Sequence, residues 1–131
     1  MKKQPEYNLQ VLVCKYLDLK YPNVNYLSDT VAQISLTIPQ QVRNKKIQKQ
    51  GFKCPDLLIL KANDKYNGLF IELKAESPYY KNNPTKLKSN EHIELQAKSM
   101  DDLRKEGYYC TFSWTFEMTK EIIDKYLENQ L

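Results

Sequence analysis

The feature that most constrains this chain is a run that alternates. In Leu69-Phe70-Ile71-Glu72-Leu73-Lys74-Ala75, residues 69, 71, 73 and 75 fall on one side of an extended backbone, and Phe70, Glu72 and Lys74 on the other. The first set is apolar throughout. The second puts two charged side chains roughly 7 Å apart on a strand whose far side is core. A wholly apolar run, residues 57–60, comes before it, across a polar turn with Asn63-Asp64 and Asn67-Gly68. That run reads as a strand buried on both faces. Asp56 opens it. Burying unpaired charge is costly, so three charges gathered beside a core point to a metal or substrate site.

The rest of the chain supplies layers for this pair of strands. Pro5 suits the first turn of a helix, Leu9, Leu12, Val13, Tyr16 and Leu17 recur at helical spacing, and Pro22 lies just past the end. Glu6, Gln10, Val13 and Leu17 share a side of this helix, so Glu6 either reaches a central site or serves as a first-turn acid favoured by the helix dipole. Residues 24–27 form a weak strand candidate, and residues 30–38 fit strand or helix equally. Residues 39–50 read as a basic helix stopped by Gly51. Residues 76–90 read as a long polar loop. Its Tyr79, Tyr80, Lys81, Lys86 and Lys88 suit either a nucleic-acid channel or a solvated flap.

Residues 91–106 read as a helix ended by Gly107. Ile93, Ala97, Met100 and Arg104 share a narrow arc that also contains Gln96. An amide on a core-facing stripe needs a partner, and the charged site would supply one. His92, at the edge of the arc, reads as a surface or helix-start residue rather than a general base. Residues 108–114 are rich in aromatic and β-prone types and predict a strand. Thr115 or Thr119 caps a last helix carrying Ile122, Ile123, Tyr126 and Leu127. The predicted architecture is a single α/β domain over residues 1–131, with a small mixed sheet flanked by helices.

Two carboxylates on adjacent strands, Asp56 and Glu72, form a hard-oxygen cradle for Mg²⁺ or Mn²⁺, and the main-chain carbonyl of Leu73 is a further candidate ligand. Lys74 stands where it can orient an attacking water and stabilise charge on a phosphate. Water attack on a phosphodiester is the natural reaction. Charge distribution agrees with a polyanionic partner. Arg43, Lys45, Lys46, Lys49 and Lys53 lie in a stretch with no acid, although the net charge is only +4. The blander alternative is a solvated helix face. The three cysteines, Cys14, Cys54 and Cys110, show no zinc spacing and no disulfide framework. No apolar run approaches a membrane span and the N-terminus leads into no signal-peptide segment, so a soluble, cytoplasmic protein is expected.

Pro-Asp and Glu-x-Lys on neighbouring strands, with a glutamine-bearing helix after them, resemble the PD-(D/E)XK nucleases. Within these, the chain resembles the small phage-type VRR-NUC (virus-type replication-repair nuclease) proteins. The likeness rests on residues 51–59, 66–74, 92–96 and 107–108, and on the closing 122–127, with a weaker match at Glu6. It implies a restriction-endonuclease-like core, with Asp56 and Glu72 as metal ligands, Lys74 as catalytic lysine, Gln96 as a supporting residue and Glu6 as an outer acid. It further implies a metal-dependent DNA endonuclease, homodimeric, acting on branched or Holliday-junction-like DNA, in a host cytoplasm if phage-encoded. Many members have glycine where this chain has Cys54. On this reading Arg43, Lys45, Lys46, Lys49, Lys53, Lys81, Lys86 and Lys88 hold the DNA, and no organic cofactor is needed. The rival from another class is a non-catalytic DNA-binding or assembly protein that keeps the fold. A nuclease for RNA or single strands is a third.

Overall fold

The computed structural model describes residues 5–28 and 35–131. In chain order it contains α1 (Pro5–Lys20), β1 (Tyr26–Ser28), α2 (Ile38–Ile47), β2 (Leu57–Ile59), β3 (Leu69–Leu73), β4 (Tyr79–Tyr80), β5 (Asn83–Leu87), α3 (Glu91–Lys105), β6 (Tyr109–Ser113) and α4 (Phe116–Leu127). Most of residues 30–38, where strand and helix were equally expected, lies outside the described residues. Only its end is seen, where Thr37 caps α2 in a reciprocal capping box with Gln40.

One mixed sheet, ordered β1-β2-β3-β6, organises the chain. β2 is antiparallel to both β1 and β3, and β6 is parallel to β3. Alternation along β3 sorts its side chains between two cores. Leu69, Ile71 and Leu73 join Leu57 and Ile59 of β2, Leu9, Val13 and Leu17 of α1, and Ile123 and Tyr126 of α4. Phe70 joins Met100 of α3 with Cys110 and Phe112 of β6. The sheet is therefore sandwiched between α1 and α4 on one side and α3 on the other. Each of these fully buried Leu and Ile side chains stabilises the fold by roughly 1.5–3 kcal/mol. The two helices of the first layer are also tied by Asp124 of α4, which accepts from Tyr21 Oη at 2.6 Å and faces Lys20 Nζ at 3.2 Å.

Several boundaries differ from expectation. The buried run ends at Ile59, and Leu60, just past the strand, is 56% exposed. The basic helix runs Ile38–Ile47 and is closed by Gln48, so Gly51, at φ +76°, shapes the following turn and not the helix end. The stretch expected as a polar loop is a hairpin, β4 with β5. Its base is anchored where Tyr79 packs edge-on against Phe112 and Trp114, with ring centroids 6.3 and 6.0 Å away, and Leu87 joins the same cluster. Two apolar anchors under exposed polar residues hold a ribbon that composition reads as loop. Of the two threonines proposed as caps for α4, Thr115 does so, accepting from Met118 N at 3.1 Å.

Gly107 ends α3 at φ +90°, a left-handed conformation that glycine adopts without steric cost. A Cβ there would lie 2.5 Å from Asn67 Nδ2, which is itself bonded to Glu106 O at 2.8 Å. Gly107→Ala is therefore expected to lower stability by about 1–3 kcal/mol. A denaturation midpoint equal to that of the parent protein would show that Asn67 yields freely.

Candidate active site

Asp56 precedes β2, and Glu72 lies on β3. The antiparallel register pairs Leu57 with Ile71, so one step further along the ladder Asp56 stands opposite Glu72. Directly opposed residues share a face of the sheet, and here it is the α3 face, two residues on from Phe70. Asp56 Oδ2 accepts from Leu73 N at 2.9 Å, and its carboxyl also hydrogen-bonds that of Glu72. Gln96 Nε2 donates to Glu72 Oε1 at 2.7 Å from the facing helix. Asp56, Glu72 and Gln96 are 6%, 3% and 2% exposed, so the cluster is shut off from bulk water.

Lys74 follows on the same side of the chain. Its N–H continues the pairing with β6 by donating to Ser113 O at 2.8 Å, and its Nζ lies 6.0 Å from the centre of the Phe112 ring. Beyond it opens a cleft of about 470 Å³ lined by Lys74, Glu6, Lys88, Asn90 and His92. Glu6, in the first turn of α1, belongs to the rim of this cleft. Its charge is felt at Asp56 and His92. Among the described residues, however, no three His, Cys, Asp or Glu side chains gather closely enough to hold a metal, so Glu6 does not complete a ligand cluster with the carboxylate pair.

The electrostatics of the pair follow from burial. Glu72 is pushed up to about 9, first because it is desolvated, then by the charge of Asp56 and the hydrogen bond to it. Burial also raises Asp56, opposed by its bonds to Glu72 and to the Leu73 N–H. Two carboxyls side by side, both resisting ionisation, are groups that a divalent ion could hold ionised. Gln96 Oε1 points the same way: it is buried with no hydrogen-bond partner among the described residues. The donor set is oxygen throughout, which suits a hard divalent ion.

No protein-family model matches the chain, and no curated protein does. Among solved structures it is similar to one described as "VRR_NUC domain protein", with a TM-score of 0.67 and 20% sequence identity, covering 98% of this chain and 92% of that one. The chain has the VRR_NUC fold. In it, β2, β3 and α3 bring the carboxyls of Asp56 and Glu72 and the amide of Gln96 together, with Lys74 next along the same side of the chain.

The basic residues divide within this VRR_NUC fold. Arg43, Lys45 and Lys46 are exposed on α2, which buries none of its residues, and Lys49 follows just beyond. Lys81 sits at the turn of the hairpin, and Lys86 lies on β5 with its Nζ 5.8 Å from the Tyr80 ring centre. Lys88 lies in the cleft, 3.6 Å from Glu76. Lys53 is half-buried, and its charge is felt at Asp56, Glu72 and His92, which puts it with the carboxylate pair and apart from the α2 cluster. Lys53, expected among the residues that hold DNA, donates its N–H to Ser99 Oγ of α3 at 2.8 Å; His92, expected at the surface of the helix start, is exposed in the first turn of α3 and also lines the cleft, with its Nε2 3.1 Å from Gln96 Nε2. The spacing of His92 and Gln96, one helical turn apart, is the sequence signal for that contact.

Among the described residues, no helix is long and apolar enough to cross a membrane.

Proposed function

We propose that this chain is a divalent-metal-dependent endonuclease that hydrolyses phosphodiester bonds in DNA. The observation that carries the reading is the buried Asp56–Glu72 pair beside Lys74. A module that only binds DNA has no use for two buried carboxyls held side by side, whose desolvation is a cost with no return to binding.

Asp56 and Glu72 would hold Mg²⁺ or Mn²⁺, with the Leu73 carbonyl as a further oxygen. When bound, the ion polarises a phosphoryl oxygen and offsets its charge. Gln96 fixes the Glu72 carboxyl through its Nε2. Lys74 orients a water for in-line attack and stabilises charge on the phosphoryl oxygens as the P–O bond breaks. We extend the reading to branched DNA cut by a two-fold dimer, since one domain offers one site and a two-fold junction needs two symmetric cuts. The test is a panel of labelled duplex, single-stranded, splayed and four-way-junction DNA and an RNA hairpin, each with Mg²⁺, Mn²⁺ or EDTA. Metal-dependent cutting of DNA, fastest and symmetric on the junction, is expected. Cutting that persists in EDTA, or none with either metal, would refute the reading.

The basic helix α2 and the β4–β5 hairpin are the proposed walls of the DNA groove. With about five phosphate contacts, log K should fall against log salt with a slope of roughly −4 to −5. Replacing Lys45, Lys46 and Lys49 with Ala should flatten that slope by about 3 or less and weaken all sequences alike. An unchanged slope in a salt titration of the triple variant would assign these lysines to solubility.

A further inference from the structure

His92 is the chain's only histidine, and the mechanism above does not use it. It stands in the first turn of α3, where Asn90 Oδ1 accepts from its N–H at 2.9 Å. One turn later, the Gln96 amide nitrogen lies 2.7 Å from Glu72 Oε1 and 3.1 Å from His92 Nε2. That nitrogen carries two N–H donors. Glu72 takes one, which holds the nitrogen end of the amide on this side, and the second meets the imidazole. Two nitrogens bond only if one of them accepts, so His92 Nε2 bears a lone pair and the proton of the neutral ring is on Nδ1. Among the described residues Nδ1–H has no hydrogen-bond partner. The ring meanwhile lines the same cleft as Lys74, Lys88 and Asn90.

We propose that His92 is a phosphate-positioning residue: Gln96 holds its imidazole in the Nδ1–H form, and Nδ1–H donates to a non-bridging oxygen of the DNA backbone lying in the cleft beside Lys74. The ring is a donor and not a general base, since Nε2 is engaged by Gln96 and Nδ1 already carries the proton. Gln96 thereby links the position of the phosphate to the orientation of Glu72. The identity of the anion rests on the nuclease reading; the tautomer does not.

Two measurements test this. With one histidine, the long-range nitrogen–proton NMR spectrum of the metal-free protein has a single imidazole to assign. It should show the Nδ1–H tautomer, with ring signals that shift when a short DNA duplex is added in EDTA. DNA affinity in EDTA then separates the two ring nitrogens. Asn in place of His sets an amide N–H near the position of Nδ1, whereas Gln reaches only the position of Nε2. His92→Phe and His92→Gln should weaken binding about tenfold or more, as for a hydrogen bond to a charged group. His92→Asn should stay within about threefold of the parent, the gap between the two classes being the lost bond. An Nε2–H tautomer, or equal affinity in His92→Phe and the parent protein, overturns the proposal. A parent protein that binds DNA through His92 but cuts nothing with either metal would refute the nuclease reading and uphold this assignment.

Discussion

Glu72→Ala and Lys74→Ala are each expected to reduce cleavage by about 10²–10³-fold or more, the loss typical when a group that stabilises transition-state charge is removed, and to leave the fold intact. Glu72 is buried and resists ionising, so its loss relieves desolvation even as it opens a small polar gap. Lys74 is half-buried beyond the end of β3, where its backbone pairing to Ser113 does not depend on the side chain. The two variants differ in how they fail. Glu72→Ala should lose divalent-metal affinity in a calorimetric titration. Lys74→Ala should keep it and lose only the chemical step, since the ligands remain and the water-orienting charge does not. Rates within a few-fold of the parent for either variant would contradict these roles.

The metal-free protein should lose stability as pH rises from about 5 towards 9, and a divalent ion should restore it. The sign follows from Glu72, raised in the folded state from an ordinary 4.5 to about 9. Below the ordinary value both folded and unfolded chains are protonated, and the stabilisation is fully present. Between the two values the unfolded chain has released its proton and the folded chain has not, so stability falls by at most about 1.4 kcal/mol per pH unit. It is lost once pH passes the folded value. Asp56 is raised as well and acts in the same direction. Denaturation in EDTA should therefore give a value lower by about 2 kcal/mol at pH 8 than at pH 6. Glu72→Gln keeps the shape without the proton and should remove most of that difference. An ion that binds only the folded pair stabilises it by mass action, more so at high pH. A Glu72→Gln protein with the same pH slope as the parent would show that the carboxyl pair is not its source.

How far this site can be read from the sequence varies residue by residue. Strand alternation is a strict two-residue period, so Glu72 and Lys74 on one side and Leu69, Ile71 and Leu73 on the other leave no freedom once β3 is a strand. The opposition of Asp56 and Glu72 needs only that the two strands pair with the register their core faces demand. Gln96 was legible for a similar reason: a polar residue on an apolar helical arc requires a polar neighbour. His92 was not, because periodicity puts it at the edge of the arc. Its place in the cleft depends on how the start of α3 meets the end of β3. Lys53 belongs to a basic run by composition and to the carboxylate pair by position, since the chain turns into β2 just after it. The hairpin was hidden because two apolar anchors, Tyr79 and Leu87, carry a ribbon otherwise exposed. The end of α2 was misplaced because Gly51 is a stop signal wherever it stands, and the helix had already closed at Gln48.

The most direct test of the central claim is the anomalous diffraction of Mn²⁺ in crystals of this protein. An ion is expected within about 2–2.3 Å of a carboxylate oxygen from both Asp56 and Glu72, absent from crystals of Glu72→Ala. Manganese bound elsewhere, or held by only one of the two carboxylates in a protein that cleaves DNA, would contradict it.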